Sequence, residues 1–321
     1  MSGLEHLQKS FESYFAHRHF PDEPSTLYDP LEEFLLNSGK RIRPVMCLMG
    51  NELFGEVHQD AYHIAAAIEL FHNFTLVHDD IMDKAPLRRG KPTVHAVHGE
   101  PTALLGGDVM MVVAYDYLSK IEPHYLKKVI ALFNKTAKEV CEGQQYDMDF
   151  EKNQHVSLSD YIKMIELKTS VLLAASLQLG SIVGGASEGN QQHIYEFGRN
   201  LGIAFQIQDD YLDAFGDPEK FGKQVGGDIQ SNKKTFLMIH ALETAQGELR
   251  TALIKAMEEN PADKVEIILN IFKACGIDSW ASALKEQYLQ TALTHLEEIA
   301  VSKSRKAPLH ALAHYLISRD K

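Results

Sequence analysis

The chain has 321 residues, 45% hydrophobic and 24% charged, the proportions of a soluble globular protein with room for a sizeable core. Its net charge of −12 argues against a general nucleic-acid or anionic-membrane surface, while leaving room for a local phosphate site. Cys47, Cys141 and Cys275 are far apart, odd in number and set in helical patterns, which predicts buried, reduced thiols in a cytoplasmic protein. The N-terminal MSGLEHLQKSFESYF has no basic start followed by an apolar core, so no secretory signal is expected.

In chain order, residues 4–16 predict a short amphipathic helix, and Pro21 to Pro30 a loop, with Pro30 opening a helix to about Ser38. The basic turn Gly39-Lys40-Arg41-Ile42-Arg43-Pro44 precedes an apolar helix from Val45. From Asp60 the pattern AYHIAAAIELFHNFTLVHDDIMD is helical, with apolar positions near 64, 68, 71, 74 and 77. Pro86 ends that helix, and Arg88-Arg89-Gly90 follows in a loop. Pro101 to Leu118 and Pro123 to Asp149 are further helices, each with proline near its start. Ser157 with Asp160 three residues on resembles a capping box. The helix it opens runs through Leu167 and Lys168 into the apolar run Ser170 to Ala186. Gln178 and several small residues make that run a buried central helix rather than a membrane span. Residues 189–214 are helical, and Phe215 to Asp228 is a glycine-containing loop. Among the amphipathic segments that follow, Asp278 to Ser302 offers Trp280, Leu284, Tyr288 and Leu296 to the core. No stretch has convincing period-2 alternation. The expectation is an all-α fold in a single domain, 1–321, with no integral membrane segment.

Two stretches carry more charge than such helices need. Asp79, Asp80 and Asp83 stand at i, i+1 and i+4, so Asp79 and Asp83 share a helix face one turn apart and repel each other. Their oxygens suit Mg²⁺, which is usually held by one or two carboxylates together with substrate phosphates. Arg88 and Arg89 follow, and arginine forks match phosphate oxygens. Taken alone, the stretch also fits a solvated acidic helix end before a basic loop. Asp209, Asp210 and Asp213 in QDDYLD repeat the spacing on a second apolar helix. Such a helix has little reason to carry three carboxylates inward unless cations neutralise them. Lys223, Lys233 and Lys234 come next, placed either to reach phosphate oxygens or to form a solvated face.

With both clusters in view, the chain resembles the trans-isoprenyl diphosphate synthases of the polyprenyl synthetase family. The resemblance rests on GKRIRP at 39–44, the first aspartate motif with RRGKPT at 79–93, GGD at 106–108 and GQQYD at 143–147. KT at 168–169, QIQDDYLD at 206–213, and GKQVGGD with KKT at 222–235 extend it over nearly the whole chain. It implies the isoprenoid synthase fold, antiparallel helices around a central active-site cavity, in a homodimer. The reaction it implies is head-to-tail condensation of isopentenyl diphosphate with allylic diphosphates, with three Mg²⁺ ions per active site. Residue by residue, the resemblance gives Asp79 and Asp83 as Mg²⁺ ligands on one side of the allylic diphosphate and Asp209 on the other. Asp80, Asp210 and Asp213 belong to the same metal set as supporting or water-mediated partners. Arg88, Lys168, Lys223 and Lys233 contact the allylic diphosphate. Lys40, Arg43, His72 and Arg89 hold the diphosphate of isopentenyl diphosphate, which needs no metal of its own. Thr169 and Gln206 place oxygens toward the allylic cation.

In this family the residues ahead of the first aspartate line the product channel. Phe74 and Thr75, a bulky ring beside a small side chain, resemble the pattern of synthases making C20 geranylgeranyl diphosphate, with C15 and longer products as alternatives. His78-Asp79 after His72 also fits a metal phosphohydrolase of the HD type, which leaves the second aspartate cluster and the RRG loop unexplained. A terpene cyclase has no use for a second diphosphate site built from Lys40, Arg43 and Arg89.

Overall fold

The structure, a computed structural model, describes residues 2–37, 39–153, 155–216 and 226–318. Helices α1 (Ser2–Phe15), α2 (Ser25–Leu36), α3 (Ile42–Glu52) and α4 (Gln59–Met82) lead to a small antiparallel hairpin, β1 (Leu87–Arg88) and β2 (Lys91–Pro92). Then come α5 (Val94–His98), α6 (Glu100–Leu118), α7 (Pro123–Lys152) and α8 (Leu158–Ile165). A π-helical turn (Glu166–Ser170) joins α8 to α9 (Val171–Val183), and α10 (Glu188–Phe215) follows. After it stand α11 (Gly227–Gln230), α12 (Phe236–Thr244), α13 (Gly247–Glu259), α14 (Lys264–Ala274), α15 (Ile277–Glu298) and α16 (Lys303–Ile317).

The chain gathers into two compact units, each made of three separated stretches. One comprises Met1–Phe133, Ser176–Gln191 and Val301–Pro308; the other comprises Asn134–Ala175, Gln192–Ala300 and Leu309–Lys321. In the first unit α4 packs chiefly on α6 and α3. Its Ile64, Ile68, Leu70, Phe71 and Val77 are buried, and Ala65, Ala66 and Ala67 are fully buried. Each large apolar side chain so buried stabilises the unit by about 1.5–3 kcal/mol, while the alanines let neighbouring helices approach closely. The second unit closes around Ile165, Ile203, Ile207, Phe236, Ile268, Phe272 and Ile277, drawn from α8, α10, α12, α14 and α15.

The central apolar run is buried from Val171 to Val183 apart from the half-buried Gln178. Among the described residues no single helix is long and apolar enough to cross a membrane; α14 and α15 pass such a test only together and are bent by 71°. The capping box at α8 is formed as read: Ser157 Oγ accepts from the Asp160 N–H at 3.2 Å, and the Ser157 N–H donates to Asp160 Oδ2 at 3.1 Å. Such a cap contributes about 1 kcal/mol.

Four expectations are corrected. The second helix begins at Ser25, with Pro30 buried inside it, because proline's fixed φ is itself helical and its ring packs in the core. Arg88 and Arg89 lie in a hairpin rather than a loop. The helix through Lys168 is interrupted by the π turn. Cys47 is buried, and burial pushes its thiol pKa up, whereas Cys275 is half-buried and Cys141 is exposed on α7. A helical pattern around a cysteine does not by itself say which face it takes.

Candidate active site

In the first unit three carboxylates crowd the C-terminal turn of α4, where the helix dipole already disfavours negative charge. Asp80 is almost fully buried and gripped by Arg88, whose Nε lies 2.8 and 2.9 Å from the two carboxylate oxygens and whose Nη2 lies 2.8 Å from Oδ1. That fork ties the hairpin to α4. Asp79 is half-buried and Asp83, which caps the helix, is exposed.

One to two turns earlier, Arg43 Nη1 stands 3.1 Å from His72 Nε2. Arginine has only donors, so Nε2 accepts and the imidazole proton sits on Nδ1. Burial first, then the charges of Arg43, Arg89, Arg88 and Arg41, hold the His72 pKa well below its ordinary value. His72 is therefore neutral at pH 7 among cations. Arg89 and Gly90 form the hairpin turn with φ of 54° and 77°. The Arg89 guanidinium lies against Gly39, where a Cβ would come within 2.8 Å of Cζ and push the arginine aside, and the neighbouring Lys40 is exposed. Burial and the neighbouring Arg88 push the Arg89 pKa down.

Phe74 packs its ring 5.5 Å from Phe71 and 4.7 Å from His78, and Phe71 in turn meets Phe133 at 5.4 Å. Thr75 Oγ1 donates to the His72 carbonyl at 2.8 Å. His78 is turned toward α6, its Nε2 3.1 Å from the Leu104 carbonyl oxygen. That orientation removes the motif on which the phosphohydrolase reading rested.

In the second unit Lys168 sits within the π turn, a feature often found at functional positions. Its Nζ is 2.6 Å from Asp147 Oδ2. The backbones meet here: a Cβ on Gly143 would lie 2.2 Å from the Lys168 nitrogen. Burial raises the Asp147 pKa, but Lys233 and Lys168 outweigh it and hold the carboxyl below its usual range. Thr169 Oγ1 donates to Gln206 Oε1 at 3.3 Å, and Gln206 Nε2 donates to Asp210 Oδ1 at 2.9 Å. The Tyr161 hydroxyl donates to the other Asp210 oxygen. Burial raises the Asp210 pKa. Asp213 Oδ2 accepts from the Asp228 N–H at 3.0 Å, and Asp209 is half-buried. Burial, opposed by Lys233 and reinforced by Asp210, Asp213 and Asp147, pushes Asp228 up to about 6.

Lys233 is exposed, whereas Lys234 donates to the Phe150 carbonyl at 2.8 Å and so serves the end of α7. Lys223 lies outside the described residues. Asp147, Tyr161 and Arg41 are site neighbours to which the sequence reading gave no role. Asp147 stood in the GQQYD motif, while nothing local marked Tyr161.

Among the described residues no three His, Cys, Asp or Glu side chains converge closely enough to hold a metal by themselves. That suits Mg²⁺, which takes one or two carboxylates and fills its shell with phosphate oxygens and water. Asp79 with Asp83, at a helix end that favours cations, fits such an ion.

A family model for polyprenyl synthetase matches residues 24–274. The chain belongs to the polyprenyl synthetase family. It is 38% identical over 298 residues to a short chain isoprenyl diphosphate synthase of Methanothermobacter thermautotrophicus, covering 92% of this chain and 91% of the relative. It is 39% identical to a geranylgeranyl pyrophosphate synthase of Geoglobus acetivorans, covering 93% and 92%. A crystal structure of a geranylgeranyl pyrophosphate synthase superposes with a TM-score of 0.93 at 42% identity, over 99% of both chains. That of the Corynebacterium glutamicum geranylgeranyl pyrophosphate synthase complexed with isoprenyl diphosphate and magnesium gives 0.84 at 26% identity, over 99% and 98%. The fold is thus the all-α isoprenoid synthase fold, and the chain is a prenyltransferase of this family.

For this family member, the half-buried, neutral His72 makes a prediction about stability. Its folded-state pKa lies below the unfolded value of about 6.5, so as pH falls the unfolded chain takes the proton first. The resulting loss of stability begins near pH 6.5 and continues down to the depressed folded pKa. Urea midpoints of the metal-free protein are expected to fall faster between about pH 7 and 5.5 for wild type than for His72→Gln. Parallel curves contradict the assignment.

Proposed function

We propose that the protein condenses isopentenyl diphosphate head-to-tail with allylic diphosphates, releasing diphosphate and making a short-chain all-trans prenyl diphosphate, C20 in preference to C15. What supports this reading is that one unit carries, on and beside α4, both a crowded set of carboxylates and a separate group of cations. Arg43 and Arg89 stand about a neutral histidine, and the exposed Lys40 follows Gly39, on which Arg89 rests, so positive charge is supplied without a metal. A hydrolase or a cyclase has use for one diphosphate only.

Mg²⁺, three ions per active site, would be held by Asp79, Asp83 and Asp209 with Asp80, Asp210 and Asp213 in support, and when bound it neutralises the charge developing on the departing diphosphate. Arg88, held on Asp80 through Nε and Nη2, meets the allylic diphosphate in this reading. Lys168, aimed by Asp147, together with Lys223 and Lys233, adds charge to the same group. Lys40, Arg43 and Arg89 bind the isopentenyl diphosphate, and His72 donates through its Nδ1–H. The allylic C–O bond breaks with its electron pair leaving on oxygen. The isopentenyl double bond then forms the new C–C bond to the allylic carbon, and the proton lost next to it goes to the released diphosphate. Thr169 and Gln206 set oxygen dipoles toward the cation. Phe74 and Thr75 line the channel for the growing chain.

The chain acts as one catalytic domain, a reading supported by the interleaving of its two units along the sequence. We further propose a cytoplasmic homodimer, whose interface uses the exposed Leu104, Leu105 and Val112 along α6.

Labelled isopentenyl diphosphate, each allylic diphosphate in turn and Mg²⁺ are expected to give a C20 product; phosphate release without elongation would overturn the reading. Asp79→Asn is expected to lower turnover by about a hundredfold or more with an unchanged melting temperature, since it removes a ligand and not packing. Normal turnover in that variant contradicts the ligand assignment. Phe74→Ala is expected to lengthen the main product, and an unchanged product distribution places the channel floor elsewhere.

A further inference from the structure

Arg41 stands between Lys40 and Arg43 in the GKRIRP turn, yet its charge is spent internally. It holds a left-handed backbone conformation, φ 52°, at the residue that precedes the first turn of α3. Few side chains other than glycine, asparagine or aspartate adopt that conformation unless the surroundings hold them there. The surroundings here are specific. Its Nη1 donates to Glu69 Oε1 in a pair whose side chains are only 11% and 3% exposed. Its Nη2 donates to the Leu35 carbonyl at 2.5 Å, and its Cζ lies 5.3 Å over the Phe15 ring. Glu69 is itself held, accepting from Asn73 Nδ2 at 3.0 Å, while the same amide donates to the Glu69 carbonyl at 2.7 Å.

The placement of these groups is what matters. Glu69 and Asn73 are one turn apart on α4 and bracket His72 in sequence. Arg41 therefore fastens the 39–43 turn to α4 beside the histidine that meets Arg43. An arginine already bonded to a buried carboxylate contributes little net charge to an incoming anion. Its contribution is direction: it fixes the turn from which Lys40 leaves on one side and Arg43 on the other.

We propose that Arg41 and Glu69 are the positioning pair of the isopentenyl diphosphate site, aiming Lys40 and Arg43 at the diphosphate without touching it. This rests on the function proposed above. A merely structural pair would lower stability and depress both substrates' kinetics together; a positioning pair acts on one substrate.

The test uses the full chain with Arg41→Met, Arg41→Lys, Glu69→Leu and the double variant Arg41→Met/Glu69→Leu. Melting temperature, kcat, KM for each substrate and metal-free binding of isopentenyl diphosphate by calorimetry are measured. Arg41→Met is expected to raise KM and Kd for isopentenyl diphosphate about tenfold, with KM for the allylic substrate within about twofold of wild type. Arg41→Lys, which keeps the charge and loses the fork, is expected to recover part of that loss. The double variant is expected to bind no worse than the weaker single one, since either change alone breaks the pair. An unchanged isopentenyl KM and Kd, or equal losses for both substrates, overturns the proposal, as does full additivity. If Arg41→Met does not fold, Arg41→Lys decides by the same comparison. Failure of the wild type to elongate any allylic diphosphate refutes the functional reading instead, so the two failures are distinguishable.

Discussion

The structure is governed by the need to keep like charges close together against their mutual repulsion. Each crowded group is held by a partner that fixes its direction. Asp80 is locked by Arg88, Asp210 by Tyr161 and Gln206, and Asp147 by Lys168. Breaking such a partly buried pair by removing one member leaves an uncompensated charge, which costs several times what a surface pair contributes. These contacts therefore preorganise charge more than they add stability. Near them Asp83, Lys40 and Lys233 are exposed.

On the proposed function, that arrangement lets one enzyme treat two diphosphates differently. In the proposed reaction the allylic diphosphate must leave, so its charge has to be met most strongly as the bond breaks, the task proposed for divalent metal with Arg88 and Lys168. The isopentenyl diphosphate must stay, and the proposed site gives it fixed guanidiniums and a neutral imidazole, which bind without activating it. His72 can do this because burial and its arginine neighbours keep it uncharged, with the tautomer set by Arg43. The same α4 that ends in the acids carries Phe74 near its last turns, packed on Phe71 and His78. On the proposed assignments, metal binding and product measurement share this one helix.

Much of this was legible in the chain itself. The i, i+1, i+4 aspartates, the basic turn at 39–44 and the Ser157–Asp160 box are local signals, and local geometry follows directly from helical spacing. The all-α class followed from the absence of alternation, with a four-residue hairpin as the one exception among the described residues. The parts that were not legible depend on tertiary partners. Tyr161 reaches Asp210 across 49 positions, and Lys168 reaches Asp147 across 21, neither of which any window of sequence reveals. The π turn needs the close approach at Gly143 to be understood. Pro30 defied the rule that proline starts a helix, and Cys141 faced outward although its surroundings were helical.

The central claim is that one diphosphate is held by the protein alone and the other needs metal. Equilibrium binding of isopentenyl diphosphate and of a non-ionisable allylic diphosphate analogue, each with Mg²⁺ and with excess chelator, tests it directly. Isopentenyl diphosphate is expected to bind about equally in both conditions, while the allylic analogue loses at least about tenfold in affinity with chelator. Equal loss for both ligands, or no loss for either, contradicts the account.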